Sequence, residues 1–270
     1  MLERFFSRLK KREEAPPREE LPLNAPTIGL CFDFPHGIDY TSKYLSEEGL
    51  NCVLKTLKAH GLRATFHCPA KLCETAEDQV TRIAESGHEI GVLGYADESP
   101  AELTDDALKQ LVFSCRSAFA KLGLSPVGFR TARSQWDERL GPELARQRFL
   151  YSAEHDHAKR LYVLVPGTPP LVRVPIHTDD RGLRRSENTY DATVSKHLRL
   201  ARKAVQEPRF VSVCFHPWIL AEDMQRMEHW ESWLKLGLKA GAKLLALEDA
   251  LKDALPADWR GQPTADDPAS

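Results

Sequence analysis

Between residues 27 and 251 short apolar runs alternate with amphipathic segments, and this alternation constrains the fold more than any other property of the chain. The runs TIGLCFDFP (from Thr27), RATFHCP, HEIGVLGY, PVGFRTA, FLYSAEH and RFVSVCFHPW are rich in β-branched and aromatic residues and read as strands. Between them lie helical patterns. One has Ser46 at a cap position, sets Leu50, Val53, Leu54 and Leu57 on one face and stops at Gly61. Others are AEDQVTRIAESG, Thr104 to Leu122 closed by Gly123, DERLGPELARQR, Ala192 to Val205 and Met224 to Ala240. The stretch LYVLVPGTPPLVRVPIHTDD gives two short apolar runs around a proline-rich turn, and LLALEDAL ends the pattern. Repeated strand and helix segments predict a parallel sheet, and about seven units predict its closure into an α/β barrel. An open doubly wound sheet is the alternative.

In either fold the chain segments that follow the strands meet on one edge, where such proteins carry their chemistry. That edge would hold Asp33, His36, His67, Tyr95, Asp97, Arg130, Glu154, His155, Asp156, His177 and His216. Asp33 is the most pointed of these, because it ends an apolar run that would otherwise be a fully buried strand. A carboxylate capping the next loop is the plainer reading of the same residue.

A chain of 270 residues with 42% hydrophobic content can bury one large core, so one domain with tails is expected. Its boundaries are read as residues 25–255, with a basic and proline-rich tail over 1–24 and a disordered tail over 256–270. A net charge of -2 speaks against a nucleic-acid partner, since phosphate backbones need a concentrated positive field. Cys31, Cys52, Cys68, Cys73, Cys115 and Cys214 contain no C-x-x-C spacing and mostly sit in apolar runs, which fits a reduced, cytoplasmic protein. No apolar run is long enough to span a bilayer, and no secretory signal is recognisable. Residues 1–12 place Leu2, Phe5, Phe6 and Leu9 on one face among basic residues, the pattern of weak contact with an anionic membrane surface. A solvated tail is the alternative.

The order FDF, GLRATFHCPA, SGHEIGVLGY, GFRTARS and CFHPW resembles the NodB-homology fold of polysaccharide deacetylases, the family 4 carbohydrate esterase type. The resemblance runs from about Thr27 to Leu251 and implies a distorted (β/α)7-type barrel. It also implies, in active members, hydrolysis of the amide linking an acetyl group to an amino sugar. Members of that family polarise the amide with a divalent metal held by one Asp and two His, and that metal also generates the attacking hydroxide. A second Asp serves as base, an Arg steadies it, and a His protonates the departing amine.

Carried onto this chain, the resemblance makes Asp33 the base, Arg130 its partner and His216 the acid. The metal ligands do not carry over. Phe34 stands where the metal-binding carboxylate belongs, and Leu93 and Asp97 stand at the two histidine positions. In a register shifted by one residue pair, Asp33 would be the ligand and Cys31 would replace the base. Neither register supplies a standard site, so no metal and no cofactor is expected unless a divalent ion such as zinc uses atypical donors. His36, His67, His155, His157, His177 and Asp179 are the residues that could form such a site. In EHDH, however, neighbouring side chains alternate faces and rarely converge.

Tyr95, Trp136, His177 and Trp218 follow strands and are read as substrate contacts, with aromatic faces available to sugar rings. Packing of the two tryptophans against the barrel is the alternative. Arg181, Arg184 and Arg185 could meet a phosphate or a sugar acid, or form a solvated loop. A carbohydrate deacetylase-like hydrolase is therefore expected, acting on a carbon–nitrogen bond. A catalytically inactive glycan- or nucleotide-sugar-binding protein and a metal-independent cyclic-amide hydrolase are the alternatives.

Overall fold

Strand β1 (Thr27–Asp33) is buried at every position, and alternate residues serve two different layers. Ile28, Leu30 and Phe32 join the large apolar cluster shared with the helices, while Cys31 joins a second cluster with Tyr151, Ala153 and Cys214. Period-two alternation places Asp33 on the Cys31 side. The computed structural model describes residues 18–34, 43–206 and 209–255. The membrane-facing reading of residues 1–12, the tail over 256–270 and His36 lie outside them.

Strands β2 (Thr65–Cys68), β3 (Glu89–Leu93), β4 (Gly128–Arg130) and β5 (Tyr151–His155) follow β1 in a parallel array. On the other side β1 pairs in parallel with β9 (Phe210–Phe215). The array curls closed through β7 (Leu171–Ile176), parallel to β5, and its continuation β8 (Thr178–Asp179), parallel to β9. This is the seven-course barrel expected from the sequence. β6 (Tyr162–Val165) is added antiparallel to β7, and β10 (Lys243–Leu245) pairs with the start of β1.

Helices α1 (Lys43–Ala59), α2 (Glu77–Glu85), α3 (Asp105–Ala120) and α4 (Leu140–Arg146) cover one arc of the barrel. α5 (Glu187–Gln206), α6 (Met224–Lys239) and α7 (Leu247–Ala254) cover another. α1 begins before Ser46, so that residue lies within the helix and is not its cap. α3 does have a side-chain cap, with Thr104 accepting from the Ala107 N–H. α5 starts at Glu187, ahead of the Ala192 expected, because polar residues in its first turn hide the apolar period.

The floor of the barrel is polar. Glu89 accepts hydrogen bonds from the Tyr151 hydroxyl at 2.6 Å, from Thr65 and from the Glu248 N–H at 2.9 Å. The Tyr151 ring and hydroxyl occupy the space a Cβ at residue 128 would need. Glycine is therefore required in the GFR strand for a packing reason.

Packing against the barrel begins ahead of residue 25. Leu21 is 3% exposed within the second apolar cluster, its N–H donates to the Leu161 carbonyl at 2.8 Å, and Glu20 bridges to Tyr162. Charge and proline content conceal this segment, because its packing rests on Leu21, on the half-buried Leu23 and on backbone pairing with β6.

Candidate active site

The ends of β1, β2, β4 and β9 bring Asp33, His67, Arg130 and His216 together inside the barrel mouth. Asp33 and His67 are direct register partners, and all four residues are at most 3% exposed. The Arg130 Nε–H donates to both Asp33 oxygens, at 2.9 Å (Oδ1) and 3.1 Å (Oδ2). His67 Nδ1 lies 3.6 Å from Oδ1, and His216 Nε2 lies 3.9 Å from Oδ2. The carboxylate is thus flanked by two imidazoles and anchored by one guanidinium.

Burial alone would raise the pKa of Asp33. The nearby Arg130, His216, His67 and Arg181 outweigh it and hold the group at about 2, so it is ionised at neutral pH. His67 is pushed the other way, to about 4, chiefly by burial, and is a neutral imidazole. Gly91 makes room for it: a Cβ there would lie 2.6 Å from His67 Cδ2. The GHEIG glycine therefore fixes where that ring sits.

Arg130 is held on its far side as well. Its Nη1 donates to the Ala153 carbonyl at 2.8 Å and to Ser134 Oγ at 3.1 Å. Ser134 Oγ in turn donates to Glu154 at 2.7 Å and accepts from the His155 N–H at 2.7 Å. Glu154 also accepts from the Thr131 N–H and hydroxyl, at 2.7 and 2.9 Å. Arg133 and Ser134 adopt left-handed backbone, with φ of 55° and 56°, and this tight turn is what returns Ser134 to Arg130.

His216 is oriented by Asp180, which was not singled out from the sequence. Asp180 Oδ1 is 2.6 Å from His216 Nδ1, and Oδ2 accepts the His216 backbone N–H at 2.8 Å. Burial raises the pKa of Asp180 against the opposing pull of His216; its contact with Nδ1 leaves Nε2 facing Asp33, where it has no hydrogen-bond partner among the described residues. The edge of the Trp218 ring packs against the imidazole, with centroids 6.0 Å apart. At 3.9 Å the two atoms are far enough apart for one group to hydrogen-bond both Asp33 Oδ2 and His216 Nε2 at about 2.8 Å.

The four residues read as substrate contacts are placed differently. His177 has both ring nitrogens committed to backbone: Nδ1 accepts from the Ser212 N–H at 3.2 Å, and Nε2 is 3.0 Å from the Ala158 carbonyl. It staples β7 to β9 and has no atom left for a ligand. Trp218 is 8% exposed with the Arg184 guanidinium over its ring, and Trp136 is half-buried beneath Arg173. Packing explains both. Tyr95 donates its hydroxyl to Glu74 at 3.0 Å and is tied to the short helical turn Leu72–Thr75.

The metal-ligand positions implied by the family do not fit an ion. Phe34 is buried in the large apolar cluster, Leu93 is 5% exposed beside Arg130, and Asp97 is bound to Arg133. An apolar side chain offers no donor, and an Asp paired with a guanidinium offers a poor one. Among the described residues no cluster of three or more His, Cys, Asp or Glu side chains has metal-binding geometry. EHDH splits as alternation requires, with Glu154 buried and His155 exposed.

Comparison with known proteins agrees with this architecture. The polysaccharide deacetylase family model matches residues 21–150. A peptidoglycan deacetylase of Helicobacter pylori is 27% identical over 125 residues, covering 45% of this chain and 43% of that protein. The chain spans less than half the length of the curated relatives it matches. Among solved structures, a polysaccharide deacetylase-type protein from Mycobacterium smegmatis superposes with a TM-score of 0.77 at 16% identity, covering 89% of this chain and 95% of that one. A family 4 pseudoenzyme from Bacillus anthracis superposes with a TM-score of 0.61 at 15% identity, covering 88% and 69%.

Proposed function

The chain is homologous to the NodB-type polysaccharide deacetylases, and on that premise we propose that it acts in carbohydrate metabolism as a hydrolase of an N-acyl carbon–nitrogen bond. The observation that carries this reading is the ionised Asp33 facing the unpartnered Nε2 of His216 across 3.9 Å. Asp33 accepts a proton from water as the water oxygen attacks the amide carbonyl. His216, held through Nδ1 by Asp180, takes that proton from Asp33 at Nε2 and delivers it to the nitrogen as the C–N bond breaks. The products are a carboxylic acid and an amine. Arg130 keeps the carboxylate charged and pointed at the site, so it is a positioning residue.

No step is routed through a metal, because Phe34, Leu93 and the Arg133-bound Asp97 do not supply its ligands. That same loss favours a second reading, a protein that binds an N-acylated glycan without turning it over. The two separate on Asp33→Asn, assayed by acetate release from N-acetylated glucosamine oligomers and by their affinity. Hydrolysis predicts loss of turnover with affinity kept, whereas an affinity change with no turnover in either protein supports binding alone.

None of the six cysteines forms a disulfide, and five are buried. This supports a reducing, cytoplasmic setting. No described helix is long and apolar enough to cross a membrane. The small negative net charge supports a carbohydrate or other small-molecule substrate over nucleic acid.

A further inference from the structure

Near the Asp33 site opens a concavity of about 490 Å3, lined by residues from four separate stretches of chain, one of them His155 of β5. Arg181 and Arg185 come from the turn after β8, Lys196 from α5, and Arg133 from the left-handed turn after β4. Arg133 is neutralised by Asp97. Arg181, Arg185 and Lys196 have no carboxylate at ion-pair distance among the described residues. The one carboxylate in the wall, Asp179, is engaged by the Arg181 N–H at 3.0 Å and faces His155 Nε2 at 3.6 Å. Three uncompensated cations thus face one carboxylate that already has partners.

This is more than a basic loop left to solvent. Arg184, in the same run, leaves the group: it pairs with Glu222 at 2.6 Å and covers Trp218. Its neighbours instead converge with a lysine from another element on a concave space of ligand size. Converging guanidinium and ammonium groups around a small cavity suit a compact dianion with several acceptor oxygens, which a phosphoryl group is. A single carboxylate would leave part of that charge unanswered.

The cavity also neighbours the Asp33 site. Asp179 in its wall adjoins Asp180, which holds His216, and the Arg181 charge acts on Asp33 itself. We propose that this cavity binds the phosphoryl group of a phosphorylated N-acyl sugar whose amide lies between Asp33 and His216. The proposal rests on the hydrolase reading for the amide and on the cavity alone for the phosphate.

Calorimetric titration with N-acetylglucosamine 1-phosphate, N-acetylglucosamine and inorganic phosphate tests it. The ester is expected to bind at least about tenfold more tightly than either of the others, with the advantage over the neutral sugar shrinking at high salt. The double variant Arg185→Gln/Lys196→Gln removes two rim cations and should lose that advantage with its melting temperature unchanged. Equal affinity for the sugar and its phosphate would overturn the proposal. So would inorganic phosphate binding as tightly as the ester, which would assign the cavity to a free anion, or a double variant that binds like the wild type. The readout is binding, so absence of hydrolysis leaves it intact, and loss of the phosphate preference leaves the hydrolase reading intact.

Discussion

The Nε of Arg130 lies 2.9 and 3.1 Å from the two carboxylate oxygens of Asp33, with both side chains buried at the barrel mouth. A buried carboxylate without a counter-charge would take up a proton. The guanidinium therefore decides the protonation state of the group on which the proposed chemistry depends.

Replacing Arg130 by methionine leaves Asp33 buried and unpaired and strips donors from the Ala153 carbonyl and Ser134. Stability should fall by about 3–5 kcal/mol, read from the urea midpoint. The Asp33 carboxyl should titrate well above its present value of about 2, read by carboxyl carbon NMR. A loss below about 1 kcal/mol would mean that the pair is not coupled as the geometry requires.

Gly91→Ala tests the placement of His67. A Cβ at that position meets the imidazole at 2.6 Å and must displace it. Overpacking of this kind costs about 1–3 kcal/mol, and the His67 ring signals should shift in the NMR spectrum. The double variant Gly91→Ala/His67→Ala should recover part of the stability, since the clashing ring is gone. Additive losses in the double variant would contradict the contact.

Much of this arrangement is legible in the sequence, for a physical reason. Strands that end on a polar residue after a buried run announce where the mouth lies, and parallel pairing brings those ends together, as it does for Asp33, His67, Arg130 and His216. Asp180 was hidden because it follows Asp179 directly, and composition does not say which of two adjacent carboxylates turns inward. His177 also ends an apolar run, yet its nitrogens are taken by the backbone of β9 and the Ala158 carbonyl, partners distant in sequence. Trp136 and Trp218 were open to both readings, and the arginines stacked on them come from other elements.

Acid should destabilise the fold between about pH 6.5 and 4. His67, His177, His197 and His229 are each held near 4, chiefly by burial, while in the unfolded chain they titrate near 6.5. The unfolded state therefore binds more protons in that window, so stability is full above it and falls as pH drops through it. Glu89, raised by burial to about 7, acts in the opposite sense, because its folded form keeps a proton that the unfolded form loses above about 4.5. Glu154 and Asp180, also raised by burial, act with Glu89, and His88, lowered by burial, acts with the other histidines, so five imidazoles outnumber three carboxyls. Urea midpoints taken from pH 7.5 to 4.5 should decline steadily, and a flat profile would contradict the burial of these imidazoles.

Leu21→Ala should cost about 2–3 kcal/mol, because the side chain is buried in the second apolar cluster. Truncation through residue 24 should lower the melting temperature by at least as much as this substitution, since it also removes the pairing with β6. Truncation through residue 17 leaves that pairing in place and serves as the control. An unchanged melting temperature on removal of residues 1–24 would show that the segment does not pack.

The most direct measurement is acetate release from N-acetylated glucosamine oligomers by protein dialysed against a chelator, comparing wild type with Asp33→Asn and His216→Ala. The acid–base pair predicts turnover in the stripped wild type that falls at least about a hundredfold in each variant. Turnover that requires added zinc, or that survives Asp33→Asn unchanged, would contradict it.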